Sequence, residues 1–398
     1  MKSITRFGDV VRLSTSRIPD PLAARIERFV GLEHITPENL HIRSWGLVAG
    51  GTTFTNYFKP GQVLFGKRRA YQRKVAVADF EGVCSSDIYI FEPKDTTLIL
   101  PELLPFICQT ESFYEHAVGT SAGSLSPRTN WLQLARYEFP LPPLDEQRRI
   151  AELLWAEEEM VAGYQNVLAK IQSLKKSAIQ EYSQTSFATK KTKTTPIGKL
   201  PENWIVESLG SLLVAAQYGL SMPLHEKGKY PVFRMMNILD GAMIANDMKY
   251  VDLSDDEFKT YKVEEGDILF NRTNSADLVG KLGIFELDGD FVFASYLVRL
   301  KAKKNVILPE YLNYYLNSGS GQKRILAFAT AAVSQTNINA SNLQKVLVPV
   351  PPILEQEQIV ARIKLIDDSK KMLFEHLENS QNLKKQSLTS LLGENHKV

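Results

Sequence analysis

Residues 139–150 read Phe-Pro-Leu-Pro-Pro-Leu-Asp-Glu-Gln-Arg-Arg-Ile, and residues 348–359 read Val-Pro-Val-Pro-Pro-Ile-Leu-Glu-Gln-Glu-Gln-Ile. The two copies align without a gap from Pro140 to Lys176 and from Pro349 to Lys385, at a constant offset of 209 residues. A repeat at this distance means two copies of one large unit. In each copy a proline pair (Pro142-Pro143, Pro351-Pro352) holds the incoming chain extended. Its second member suits a helix start, and the acids that follow (Asp145, Glu146; Glu355, Glu357) complement the positive end of the helix dipole. Apolar residues then recur at three- and four-residue steps: Ile150, Leu153/Leu154, Val161, Tyr164, Leu168, Ile171, Leu174, Ala178 and Tyr182 in the first copy. The second has Ile359, Ile363, Ile366, Leu373, Leu377, Leu383 and Leu391. Each run predicts a helix of about 38 residues, roughly 57 Å long. One narrow stripe on so long a helix fits a coiled-coil seam, and two such helices in one chain most simply pair with each other. Two separate core helices are the alternative.

The bulk composition permits several classes. A chain of 398 residues, 44% hydrophobic, has the length of two or three domains. A formal net charge of +2 argues neither for nor against nucleic acid. Cys84 and Cys108 make no metal or redox spacing and suggest a reducing compartment. The opening MKSITRFGDVVRL has no signal-peptide core, and no run approaches a membrane span, so a cytoplasmic location without a membrane is expected.

Working outward from the repeat, residues 1–143 read as a mixed unit. Val63–Phe65, Val75–Ala78 and Ile88–Phe91 are strand-like, and a helix is expected over 101–117. Residues 183–200, rich in Thr, Ser and Lys, read as a linker. Residues 201–352 repeat the first unit loosely. Gly61-Gln-Val-Leu-Phe65 matches Gly266-Asp-Ile-Leu-Phe270, Val30–Ile35 matches Phe233–Ile238, and Arg128-Thr-Asn130 matches Gln335-Thr-Asn337. Like cores carry unlike loops: Gly-Lys-Arg-Arg-Ala-Tyr-Gln-Arg-Lys follows Phe65, and Asn-Arg-Thr-Asn-Ser-Ala-Asp-Leu-Val-Gly-Lys follows Phe270.

The doubled proline entry, Ser334-Gln-Thr-Asn-Ile-Asn-Ala-Ser-Asn-Leu343 before it, Glu265–Ser275 and Pro201-Glu-Asn-Trp204 together resemble the specificity subunits of Type I restriction–modification enzymes. The resemblance covers nearly the whole chain. It implies an α+β fold with an internal pseudo-two-fold repeat: target-recognition domains at 1–143 and 201–352, a linker at 183–200, and spacer helices at 144–182 and 353–398 paired as an antiparallel coiled coil. It further implies a subunit that reads a bipartite double-stranded DNA sequence, one half per domain, and catalyses nothing itself. Two modification (methyltransferase) subunits and the restriction subunits would be its partners. S-adenosylmethionine, ATP and Mg would sit on those partners, with no cofactor on this chain.

The loop residues suit that task. Base edges are read most often by Arg on guanine and by Asn or Gln on adenine, whereas Lys, Arg, Ser and Thr on phosphates set position. The candidates in the first domain are Lys67, Arg68, Arg69, Tyr71, Arg73, Lys74 and Arg128. A base contact is expected of Arg69 or Arg73. In the second domain they are Arg272, Thr273, Asn274, Ser275 and Lys281, with Arg234, Gln335 and Asn337 from other loops. A solvated hairpin tip is the plain alternative, and a side-chain cap would explain Asn130 or Asn337 equally well.

No residue pattern points to catalysis. The Asn/Asp-Pro-Pro-Tyr/Phe motif of amino-methylating enzymes, a glycine-rich cofactor loop and a GxxxxGK[ST] phosphate loop are all missing from the sequence. Glu257-Phe-Lys259 has the form of a nuclease tail but lacks a correctly placed upstream Pro-Asp, and the six histidines are scattered. Besides a DNA-specificity subunit, the pattern leaves a second class: a scaffold whose coiled coil spaces two protein-binding domains.

Overall fold

The computed structural model describes residues 3–275, 279–331 and 336–393. The chain folds as two compact units, 1–168 with 372–398 and 169–371, so both long helices are shared between them.

In the first unit Phe7 is the centre of the core. Its ring packs against Phe113, Phe91, Trp131 and Phe139, with centroids 5.1–6.4 Å away. Burying each such ring removes well over 100 Å² of apolar surface from water. Strand Ser3–Arg6 pairs antiparallel with Glu138–Leu141, immediately before the proline pair. An antiparallel sheet runs in the order Val11–Leu13, Ile88–Pro93, Val63–Gly66, Val75–Val77, and contains the three expected strands. A second sheet joins Gly46–Leu47, Arg28–Val30, Gly82–Cys84 and Asn56–Phe58. The helix expected over 101–117 is two helices, Leu104–Ile107 and Glu111–Gly119. Thr110 interrupts it by capping the second helix, its Oγ1 accepting the Phe113 N–H. Such local side-chain bonds compete with a continuous helix.

The second unit has a six-stranded sheet in the order Leu213–Tyr218, Leu297–Ala302, Ile268–Asn271, Leu282–Ile284, Ala242–Met243, Ile238–Leu239. Strand Ile205–Ser208 pairs with Leu347–Val350 as Ser3–Arg6 pairs with Glu138–Leu141. The segment expected to be a structureless linker is ordered. Thr192–Thr195 and Gly198–Pro201 form a hairpin, Leu200 is buried, and the Phe187 N–H donates to Glu355. Its few apolar residues are too sparse to show periodicity, yet Leu200 and Ile197 join the core of the second unit and Phe187 packs against Tyr182.

The long helices span Leu144–Tyr182 and Ile353–Leu392. A glutamine fixes the entry of each. Gln147 Nε2 donates to Leu98 O and Pro142 O, and its Oε1 accepts from Leu100 N. Gln356, 209 residues on, does the same with Val306 O, Pro351 O and Leu308 N. In the first unit Glu157 meets Ser387, Glu158 meets Lys384 and Tyr164 stacks on His376, so these stretches run in opposite directions. In the second, Lys175 pairs with Asp367 at 2.5 Å. The apolar stripe is less uniform than its spacing implies: Ile150, Leu154, Val161, Ala178, Ile359 and Ile363 are buried, but Leu153, Leu174 and Leu383 are about half exposed.

Candidate nucleic-acid interface

The expected basic loop links strand Val63–Gly66 to Val75–Val77 and turns through a short 3-10 segment, Ala70–Gln72. Arg69 and Arg73 flank that turn with φ of 56° and 55°, left-handed backbone that non-glycine residues rarely adopt. A second hairpin, Ser121–Ala122 with Arg128–Thr129, is joined to it by a bridge between Arg68 and Arg128. The Thr129 N–H donates to Lys67 O and the Arg69 N–H to Pro127 O, which fastens the two loops together.

Asp87 lies where they meet. Its Oδ1 accepts from Arg128 Nε at 2.9 Å and its Oδ2 from Arg68 Nη1 at 3.3 Å. Burial works against its charged form, but the two arginines outweigh it and hold the carboxyl below its ordinary value. Ser126 Oγ accepts from both Arg68 and Arg69 at 3.2 Å. Lys67 stands 4.6 Å from the centre of the Tyr89 ring, and burial lowers its pKa. Arg68 and Arg128 thus hold one carboxylate between them, with Lys67 close by and Arg69 joined to Arg68 through Ser126, a surface with surplus positive charge. Tyr71 is exposed at the tip. Arg73 and Lys74 are occupied elsewhere: Arg73 grips Glu111 and reaches Glu38 at 3.4 Å, while Lys74 Nζ donates to Leu32 O at 2.6 Å.

In the second unit the backbone frame recurs with other side chains. Thr273–Asn274 pairs with Thr336–Asn337, and Asn337 Nδ2 donates to Thr273 Oγ1 at 2.9 Å. The Ile338 N–H donates to Arg272 O as Thr129 N–H does to Lys67 O, and Arg272 lies over the Tyr218 ring at 4.9 Å as Lys67 lies over Tyr89. Each tyrosine hydroxyl also accepts a peptide N–H opening the next short helix, Trp131 N at 3.1 Å or Ala340 N at 3.0 Å. The tyrosines come from different strands, Ile88–Pro93 and Leu213–Tyr218, so the same arrangement is reached from two places.

This corrects one expected match. Asn130 caps the helix Trp131–Leu134, and its equivalent is Asn339, which caps Ala340–Leu343; both lie at the 209-residue offset. Arg128 therefore corresponds to Asn337, two residues from the Gln335 that the triplet Arg/Gln-Thr-Asn suggested. Gln335 itself lies outside the described residues. Asn274 Nδ2 points at Met235 Sδ, Ser275 is exposed, and Lys281 is exposed beside a cleft of about 540 Å³ reached also by Lys176 and Lys370. Arg234 opens the 3-10 turn Met235–Asn237, as Gly31 opens Leu32–His34, and its guanidinium is held by Asp247. Asp87, Ser126, Tyr89 and Tyr218 are the site residues the sequence did not reveal. Asp87 is 41 residues from Arg128 in the chain, and only the meeting of two hairpins makes them neighbours. Among the described residues, His, Cys, Asp and Glu form no group of three or more suited to a metal, and no helix is long and apolar enough to cross a membrane.

Two mixed α/β domains are each followed by a long helix, and each presents a differently equipped loop on one backbone frame. The family described as Type I restriction modification DNA specificity domain matches residues 35–172 and 201–380, and the chain belongs to that family. Relatives include a Methanocaldococcus jannaschii protein provisionally named type I restriction enzyme MjaX specificity subunit. It is 34% identical over 194 residues, 48% of this chain and 44% of that one. The EcoKI specificity subunit of Escherichia coli is 27% identical over 245 residues, 57% of this chain and 50% of its own length. The chain thus spans about half the length of these curated relatives. The fold is shared with a chain of a solved type I R-M system (TM-score 0.59, 21% identity, 98% and 97% of the two chains). It is shared also with the S subunit of a Type-I restriction-modification system from M. genitalium (TM-score 0.58, 14% identity, 99% and 96%).

Proposed function

We propose that this chain is the non-catalytic specificity subunit of a Type I restriction–modification complex and reads a bipartite DNA target, one half-site per recognition domain. One observation carries the reading: a single backbone frame presents Arg68 and Arg128 around Asp87 in one domain, but Thr273 and Asn337 in the other. Sequence readers need such a frame, because phosphate contacts fix the register while base-edge side chains decide the sequence. Lys67, Arg68, Arg69, Tyr71 and Arg128 form the DNA face of the first domain, and Arg272, Asn274, Ser275, Lys281 and Asn337 that of the second, with the buried Thr273 bracing Asn337. Arg73, Lys74 and Arg234, each with a partner inside the chain, support it.

The long helices act as an antiparallel coiled-coil spacer and give the subunit a pseudo-two-fold axis. The reciprocal pairs Glu158–Lys384 and Lys175–Asp367, related by the 209-residue offset, support this. Leu153, Met160, Val167 and Leu174 recur every seven residues along the first helix and are 40–56% exposed. An exposed apolar row of this kind is a docking surface, and it suits the modification subunits, one per repeat. S-adenosylmethionine, ATP and Mg then belong to the modification and restriction subunits of a cytoplasmic complex. The test is methylome sequencing of cells carrying this chain with its modification subunit. A bipartite motif that depends on the chain, and of which one half alone changes when residues 201–347 are exchanged for a relative's, is the expected result. Absence of DNA binding that weakens steeply with salt would favour a protein scaffold instead.

A further inference from the structure

We infer that Arg128 reads a guanine in the half-site of the first domain and that Asp87 is its positioning residue. The inference rests on the DNA-reading function proposed above and adds to it the residue and the base.

A guanidinium reads guanine by placing two N–H donors on O6 and N7 at once. It must therefore be exposed, have both ends of its fork free, and be held in one plane. The basic side chains of the two fastened loops can be sorted by that requirement. Arg73 has spent its fork on Glu111 and Glu38. Both terminal nitrogens of Arg68 are bound, one to Asp87 and one to Ser126. Arg69 gives one to Ser126, and its Nε is buried without a partner. Lys67 lies over Tyr89, and Lys74 is tied to a carbonyl. Arg128 differs. It bonds Asp87 through Nε alone, its side chain is 53% exposed, and neither Nη has a hydrogen-bond partner among the described residues.

The Nε bond is the useful one to make inside the protein. It fixes the guanidinium plane and leaves the outward fork to the ligand, so less side-chain freedom is lost on binding. A carboxylate facing DNA would repel phosphate, but the Asp87 side chain is only 16% exposed and lies between two arginines. Arg68 is thus the counter-charge, Asp87 the clamp and Arg128 the reader. At the same place in the second domain stands Asn337, a side chain suited to adenine, braced by Thr273. A reading position should differ between half-sites in this way, and a merely structural ion pair need not.

The experiment is methylome sequencing of cells carrying the full chain and its modification subunit, with Arg128→Ala, Arg128→Gln, Asp87→Ala, Asp87→Glu and the Arg128→Ala/Asp87→Ala pair. The expected wild-type motif has a G·C pair in the first half-site that Arg128→Ala relaxes, with discrimination there falling about tenfold or more. The rest of the motif stays intact. Asp87→Ala relaxes the same position, the double variant relaxes it no further than Arg128→Ala, and Asp87→Glu restores part of the selectivity. Should Arg128→Ala abolish methylation altogether, Arg128→Gln decides: a shift from guanine toward adenine at one position supports the assignment, and an unchanged motif overturns it. An unaltered motif in Arg128→Ala, or relaxation by Asp87→Ala at a different position, overturns it while leaving the DNA-reading function standing. A wild-type chain that directs no motif removes both.

Discussion

Lys384 and Glu158 form an ion pair almost sealed from water, with side chains 11% and 2% exposed. The other Glu158 oxygen accepts the Leu40 N–H at 2.8 Å, so one carboxylate ties a recognition-domain loop to both helix segments of the first unit. A buried pair contributes little net stability when intact, because desolvation offsets attraction, but removing one member strands a buried charge. Lys384→Ala or Glu158→Ala is expected to cost about 3–5 kcal/mol. In a double-mutant cycle on urea unfolding, the Lys384→Met/Glu158→Leu pair should cost less than the sum of its single changes. Additive costs would show that the two charges do not act as a pair.

Gln147 and Gln356 each make three hydrogen bonds at the point where a proline entry becomes a helix, and both are essentially buried. Alanine at either position leaves buried backbone groups unpaired, at about 1–3 kcal/mol per stranded group. Glutamate removes the two donations and adds a buried charge, so it should be worse than alanine. Thermal unfolding of the four variants checks both the size and the order.

Trp204 is fully buried and its indole N–H donates to Glu355 at 3.0 Å; Asn203 and the Phe187 N–H use the same carboxylate. Glu355→Ala should therefore unfold at lower urea than wild type, by about 2–4 kcal/mol from donors left unpaired. Tryptophan fluorescence should report a less buried indole. Glu146, at the equivalent place in the first copy, is exposed, and its alanine variant should be nearly neutral.

Acid should weaken the first domain in a defined direction. The hydrogen bond from Arg73 holds the Glu111 carboxyl below its ordinary 4.5, and the paired arginines, against the cost of burial, hold Asp87 below 3.8. A depressed carboxyl adds stability that is fully present above the ordinary value and is lost as pH falls through the depressed one. Asp87→Asn and Glu111→Gln should thus be less stable than wild type near about pH 7, with the gap closing toward about pH 3. A gap that widens in acid would contradict the pairing.

The spacer role predicts a ruler. Removing one heptad from each long helix, between Glu158–Lys384 and Lys175–Asp367, shortens each by about 10 Å. At about 3.4 Å per base pair this takes about three base pairs from the unspecified centre of the target. Methylome sequencing should show that shorter gap between unchanged half-sites; an unchanged gap would remove the ruler.

Much of this protein is written along the chain. The repeated Pro-Pro entry and the uninterrupted periodicity that follows determined the two long helices to within a residue at their starts, because helix initiation and amphipathicity are local properties. The strands Val63–Gly66, Val75–Val77 and Ile88–Pro93, and the likeness of Phe65 to Phe270, were legible for the same reason. The order of residues 183–200 was not, since this segment has few apolar residues and is held by partners far away in sequence, Glu355 on the Phe187 N–H and Arg324 on Ile197 O. Nor was the break at Thr110, where one hydroxyl outweighs helix propensity. The division of labour among the arginines was settled by tertiary structure alone. Arg73 and Arg128 look alike in sequence, yet one is locked to Glu111 and the other offers its fork to solvent, because a side chain's charge is local and its free hydrogen-bonding capacity depends on what folding brings beside it.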